Sequence, residues 1–378
     1  MTIGILKEAA GENRVVCLPD IVKQLVGRGV QVLVESNAGA ASSVSDDDYK
    51  NAGASISSAD QVLSTADLVL KINLFTKEEI SRLKPGSVTL SILQPLFHKE
   101  LVLALLEQGV TSFALDMIPR TTRGQAMDIL SSQATVAGYK AVLSAASHLP
   151  KFFPMFMTAA GSITPAKVLI LGAGVAGLQA ISTARRLGAV VEAFDTRAAV
   201  KEEVKSLGAK FVEVEGAADS AAAGGYAVEQ SEDFQQRQRQ VIHDHASKSD
   251  VIITTAQIPG RKAPVLITRE TVLAMKPGSV IVDLAASTGG NCELTKNNEV
   301  IQTHGVTIIG NSNFPSTMPQ DASKMFGKNV MNFLQLILTK EGQLNLNFQD
   351  DLVSGCCITH EKQVMNPRVK ETLAAQTA

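Results

Sequence analysis

The residues Gly172, Gly174 and Gly177 close the run Lys167-Val168-Leu169-Ile170-Leu171-Gly172-Ala173-Gly174-Val175-Ala176-Gly177, an apolar strand leading straight into a Gly-x-Gly-x-x-Gly turn. The chemistry such a turn supports is pyrophosphate binding. Its first glycine permits the tight turn, its second lets the backbone approach the phosphates, and its third lets the next helix pack on the strand. Backbone N–H groups of Gly174, Val175, Ala176 and Gly177 at a helix N-terminus then face the anion. A glycine turn alone is weak evidence, so the context decides. A helix-period segment covers 178–187, Gly188 ends it, and Val190-Val191-Glu192-Ala193-Phe194 reads as a second strand ending in Asp195. An acidic residue about 20 positions beyond the glycines is expected to accept hydrogen bonds from an adenosine ribose. Asp195, with Thr196 and Arg197, therefore marks the adenosine end of a dinucleotide. Arg197 is of the type that accommodates a 2′-phosphate, but the carboxylate repels one, and the balance favours NAD over NADP.

A second cluster, Arg120-Thr121-Thr122-Arg123-Gly124-Gln125-Ala126-Met127-Asp128-Ile129-Leu130-Ser131, concentrates charge and hydrogen-bonding groups at the start of a helical stretch. It is either a helix N-terminus with solvated side chains or a holder of a nicotinamide carboxamide and ribose. The segment 215–227 is small, polar and hinged by Gly224-Gly225, with Tyr226 beside it. On composition it is equally a lid over a ligand or a surface insertion. His98, His148, His243, His245, His304 and His360 show no metal-ligand spacing, and His243 and His245 read as solvated. Neither a Gly-x-Ser-x-Gly elbow nor a Cys/His pairing is present, so hydrolysis has no support.

These groups need a scaffold, and the strand–helix alternation supplies one. Apolar strands at 3–6, 30–34, 67–72, 88–92 and 111–115 are separated by helices at 19–28, 77–83 and 100–108, the pattern of a parallel sheet covered by helices. A second series starts at Lys167 and adds strands at 250–256, 279–284 and 306–310. Leu83-Lys84-Pro85-Gly86-Ser87-Val88 and Met275-Lys276-Pro277-Gly278-Ser279-Val280 echo each other, each a Pro-Gly turn between helix and strand. Only the second series carries the glycine fingerprint, so one dinucleotide site is expected per chain. Long helices at 124–149 and 328–338 should carry the chain out and back. The expected fold is α/β: two Rossmann-like domains with parallel sheets joined by long helices, and an NAD site in the crevice of the second. The expected boundaries are 1–126 plus 321–378 for the first domain, 138–315 for the second, and 127–137 and 316–320 for the connections.

The 378 residues suffice for two such cores. A net charge of −2 predicts no nucleic-acid partner and no strong attraction to anionic membranes. No apolar stretch reaches the roughly 18 residues of a membrane span. Cys17, Cys292, Cys356 and Cys357 lack metal or redox spacing, and no signal segment opens the chain, which points to buried thiols in a reducing cytoplasm.

With these residues in view, the whole chain resembles the soluble NAD(H)-binding component of proton-translocating NAD(P) transhydrogenases. The marks are Lys7-Glu8 with Arg14, Met127-Asp128-Ile129-Leu130-Ser131-Ser132-Gln133, Met157-Thr158-Ala159-Ala160-Gly161, Val175-Ala176-Gly177-Leu178-Gln179-Ala180 and Gly289-Gly290-Asn291-Cys292. The resemblance implies that Arg120, Gln125, Asp128 and Ser131 contact the nicotinamide end of NAD(H) and face NADP(H) held by a partner subunit. It implies that Asp195, Thr196 and Arg197 contact the adenosine end, that Gly225 and Tyr226 belong to a closing loop, and that Gln238, Ala256 and Gln257 lie near the nucleotide. It further implies direct hydride transfer from NADH to NADP+, coupled to proton translocation through a membrane subunit. A homodimer held by its partners at the cytoplasmic face of the inner membrane is expected. Because the chain stops at Ala378, its partners are expected as separate subunits.

Alanine dehydrogenases are similar through Lys7-Glu8, Arg14 and Lys71. That family places a catalytic histidine where this chain reads Ser91-Ile92-Leu93-Gln94-Pro95 and an aspartate where it has Ser287. Lys71 then reads as a remnant or a solvated charge. A non-catalytic NAD-sensing protein is a third reading that no residue excludes.

Overall fold

The computed structural model describes residues 1–214, 232–258 and 261–374. The chain forms two compact units, Met1–Gln133 with Pro315–Ala378, and Ala134–Phe314.

In the first unit, Thr2–Ile5 lies between Gln31–Glu35 and Leu68–Leu70 in an eight-stranded sheet. The order across it is Gln363–Val364, Cys357–His360, Thr111–Ala114, Val88–Ser91, Leu68–Leu70, Thr2–Ile5, Gln31–Glu35, Ser55–Ser57. The six N-terminal strands run parallel, while Cys357–His360 pairs antiparallel with both its neighbours. Leu68–Leu70 and Val88–Ser91 are buried along their whole length, which is why they read as continuous apolar runs. Short helices are held by their ends. Thr76 and Glu79 form a reciprocal capping box for Lys77–Arg82, as Ser45 and Asp48 do for Asp46–Asn51.

In the second unit the sheet order is Lys210–Phe211, Val190–Phe194, Lys167–Leu171, Val251–Thr254, Val280–Asp283, Val306–Ile309, Val300–Thr303. All pairs are parallel except the last. The glycine-turn strand is central, with Val190–Phe194 on one side and Val251–Thr254 on the other, so the strand order reverses there, at the point where α/β folds bind ligands. A separate hairpin, Phe156–Thr158 with Gly161–Ile163, is exposed throughout. Both Pro-Gly turns are left-handed, with φ of 79° at Gly86 and 87° at Gly278, so the echo between the two series is one of backbone shape.

Two helix expectations need correction. The helix expected over 124–149 is broken: a 3₁₀ turn, Gly124–Met127, is followed by extended Asp128, and the helix proper is Ile129–His148. Asp128 stops the 3₁₀ turn because its carboxylate caps the new helix. The helix expected over 328–338 runs Pro319–Ile337, starting at a proline whose fixed φ suits a first turn. Buried Ala322, Ser323, Phe326 and Gly327 continue its inner face. Small and polar residues there hide the apolar period.

Candidate nucleotide site and the polar turn

Each fingerprint glycine has its own steric cause. Gly172 has φ of 99°, and a Cβ there would lie 2.5 Å from Thr255 Oγ1. A Cβ on Gly177 would lie 1.9 Å from the Gly172 carbonyl oxygen, so the helix Val175–Arg186 packs on the turn only if that position is bare. Gly174 differs. A Cβ there would have no neighbour closer than Arg197 Nη2 at 3.9 Å, so its side of the turn is open. An opening at the N-terminus of a twelve-residue helix, whose first N–H groups have no intrahelical acceptor, suits a pyrophosphate. Val175 is exposed and Ala176 half-buried at this mouth.

Asp195 ends its strand as expected, but its carboxylate is already engaged. Oδ2 accepts from Ala173 N–H at 2.8 Å and Arg197 Nη2 at 2.8 Å, and Oδ1 accepts from Arg197 N–H at 2.8 Å and Nε at 2.9 Å. The pair is largely buried, and the hydrogen bonds from Asp195 push the Arg197 pKa further above its usual value. Asp195 thus pins the glycine turn and neutralises the arginine. Thr196, between them, is half-buried.

On the neighbouring strand end, Ala256 N–H donates to Asn291 Oδ1 at 3.0 Å, and Asn291 Nδ2 donates to the carbonyls of Ala256 and Pro264, both at 2.8 Å. Asn291 is fully buried. Its amide replaces a strand neighbour for the segment carrying Ala256 and Gln257. Gln257 is exposed, its Nε2 donating to the Leu284 carbonyl at 3.2 Å. Gln238 is half-buried on the helix Glu232–Ala246. Gly225 and Tyr226, with the rest of the 215–227 segment, lie outside the described residues.

In the first unit, Arg120 and Gln125 are exposed on the polar turn. Asp128 and Ser131 form a helix cap: Ser131 N–H donates to Asp128 Oδ1 at 2.9 Å and its hydroxyl to Oδ2 at 2.6 Å. Asn329 and Asn332, which sequence reasoning passed over, both donate from Nδ2 to the Ala126 carbonyl, at 2.8 and 2.9 Å. Their signal was two asparagines at i, i+3 on a helix that is otherwise apolar on that face.

Lys71 is not solvated. It is buried, and its Nζ bonds both oxygens of Glu79, at 2.7 and 2.8 Å. Nearby, burial pushes the Glu8 carboxyl up despite bonds from Ile72 N–H and Asn73 Nδ2. Burial also opposes ionisation of Glu12, but the bonds and charge of Arg14 prevail and hold its pKa at about 2. His243 and His245 are not merely solvated either: Nδ1 of His243 meets Thr271 Oγ1 at 3.0 Å and that of His245 meets Glu192 Oε2 at 2.5 Å. All four cysteines are free and buried, and burial raises the Cys292 thiol to about 11 and Cys357 to about 12. Among the described residues no cluster of metal-ligating side chains is present, and no helix is long and apolar enough to cross a membrane.

Residues 4–137 match the family described as Alanine dehydrogenase/PNT, N-terminal domain, and residues 141–367 match Alanine dehydrogenase/PNT, C-terminal domain. The chain is 48% identical over 377 residues to the first of the two parts of NAD(P) transhydrogenase subunit alpha of Rhodospirillum rubrum, covering 97% of this chain and 98% of that one. It is 30% identical to the alanine dehydrogenase of Mycolicibacterium smegmatis, over 99% of this chain and 97% of that one. The crystal structure of the transhydrogenase from Sinorhizobium meliloti superimposes with a TM-score of 0.88 at 43% identity, over 96% of this chain and all of that one.

Proposed function

Given that the chain belongs to the alanine dehydrogenase/PNT family, among its NAD(P) transhydrogenase alpha subunits, we propose that it is the NAD(H)-binding half of a two-nucleotide hydride-transfer site. Its counterpart is NADP(H) on a partner subunit. The observation that carries the NAD(H) reading is the open side of Gly174 beside the closed Asp195–Arg197 pair. Backbone N–H groups at 174–177 would hold the pyrophosphate. The neutralised Arg197 has no net charge to offer a 2′-phosphate, so the adenosine end takes NAD(H) rather than NADP(H).

Bound NADH supplies a hydride, and direct passage to a second nicotinamide changes no protonation state on either carrier. This chain's residues then orient and exclude water. Gln125 and Arg120 on the polar turn would contact the nicotinamide end, with Asp128 and Ser131 fixing the turn to its helix. Proton translocation would belong to a separate membrane subunit, with a homodimer of this chain at the cytoplasmic face. Alanine dehydrogenation needs an acid–base group. Segment 91–95 has no histidine, position 287 is serine, and Lys71 is occupied by Glu79.

The test is NADH oxidation by the purified chain, once with pyruvate plus ammonium and once with an NADP+-loaded transhydrogenase subunit. Oxidation only in the second case is expected. Turnover with pyruvate and ammonium alone would overturn the reading, and no oxidation in either case would favour a sensor.

A further inference from the structure

We propose that Asn329, seconded by Asn332, is a positioning residue that sets where Gln125 is presented. The inference rests on the role given to Gln125 above.

The turn that carries Gln125 is exposed, yet it is tied down on both sides of that residue. Before it, Arg123 spans two carboxylates, Nη1 to Asp351 Oδ1 at 2.8 Å and Nη2 to Asp350 Oδ2 at 2.6 Å. Gly124 lies so close to the preceding chain that a Cβ would fall 2.3 Å from the Pro119 carbonyl oxygen. After it, the next two carbonyls are both held. That of Gln125 accepts from Asp128 N–H at 3.3 Å, and that of Ala126 accepts from the two asparagine amides. Met127 then enters the core.

Stability does not explain Asn329. It is 8% exposed among Phe326, Val330 and Phe333, and its Oδ1 is a buried atom with no partner among the described residues. Leaving a buried acceptor unmatched is unfavourable, so an apolar side chain would suit the helix face better. The Nδ2 bond to Ala126 is what such a replacement would forfeit. An exposed ion pair such as Arg123 with its acids is a weak tether by itself, which leaves the buried amide as the stiff anchor.

The test compares Asn329→Leu, Asn332→Ala and Gln125→Asn in the full-length chain. It measures the melting temperature, the NADH dissociation constant from nucleotide fluorescence, backbone amide exchange at 126–128, and hydride transfer to an NADP+-loaded transhydrogenase subunit. Asn329→Leu is expected to melt no lower than wild type and to bind NADH within about twofold. It should exchange faster at 126–128 and transfer hydride about tenfold to a hundredfold more slowly, the scale of a small misplacement. Asn332→Ala should act in the same direction more weakly. If Gln125→Asn slows transfer and Asn329→Leu does not, the positioning role falls while the reading of Gln125 stands. If neither variant slows transfer, the role of Gln125 falls too. A marked loss of melting temperature in Asn329→Leu would overturn the inference by making the amide a structural group.

Discussion

Asp195 shows how a residue of the expected type can work in an unexpected way. A carboxylate offers about four acceptor positions, and the chain's own donors fill all four, two of them linking the glycine turn to Arg197. Asp195→Ala is therefore expected to free Ala173 and to release an arginine charge. NADH binding, measured by titration, should weaken by roughly 1 to 3 kcal/mol, the range for losing a bond to a charged group. NADPH binding should improve at the same time, because the arginine is no longer neutralised. An unchanged preference between the two nucleotides would remove the pair from specificity. Glu12 gives a prediction in pH. Its folded pKa of about 2 lies below the ordinary value of 4.5, so its contribution is complete above 4.5 and is lost as pH falls from 4.5 toward 2. Over that window the wild type should lose about 3 kcal/mol more than Glu12→Gln in denaturant titrations, from the standard conversion of pKa to free energy. Glu8, whose pKa is raised by burial, pulls the other way in both proteins and cancels in the comparison.

The glycine turn and its helix separate folding from binding within one element. Gly177 is bare because the turn's own carbonyl occupies the place of a Cβ, whereas Gly174 is bare beside open space. Gly177→Ala should lower the melting temperature by several degrees, since either the helix or the turn must move. Gly174→Ala has an ordinary φ of −77° and no steric conflict, so it should melt like wild type and lose NADH affinity instead. Calorimetry and nucleotide titration on the pair check this, and equal melting losses would mean that Gly174 serves the fold. The broken helix near 128 is the corresponding lesson in the first unit. A run rich in Ala, Ser and Leu predicts helix throughout, but Asp128 competes with the backbone for its N–H groups and ends one turn to begin the next. That break is what leaves residues 120–126 as an exposed turn rather than a buried stripe.

At the scale of the whole molecule, each unit owns its hydrophobic clusters, Ile3, Leu70 and Phe333 in one and Val168, Ile253 and Val282 in the other. A ligand held by the glycine turn stabilises the unit that contains it, by about 2.7 kcal/mol at a hundred times its dissociation constant. Hydrogen exchange with excess NADH should therefore slow in Lys167–Leu171 and Val251–Thr254 and stay unchanged in Thr2–Ile5. An equal slowing in both sheets would mean that the units open together. Much of this organisation was legible in the chain itself. Val190–Phe194 ends where the apolar run ends, and the other central strands of both sheets lie within a residue or two of their apolar runs, because parallel strands buried on both faces must be written as continuous apolar segments. The glycine spacing is legible for the same reason: sterics act within a few residues. The short edge strands Val300–Thr303 and Gln363–Val364 were not legible, since their pairing comes from neighbours rather than from their own polar sequence. Nor were the partners of the polar side chains. Lys71 with Glu79, Asp195 with Arg197, Asn291 with Ala256 and Asn329 with Ala126 each depend on where a second segment lies. Hydrophobic patterning and backbone sterics are local and can be read along the chain, whereas a hydrogen bond needs two groups within about 3 Å, a distance that only the packed tertiary structure decides.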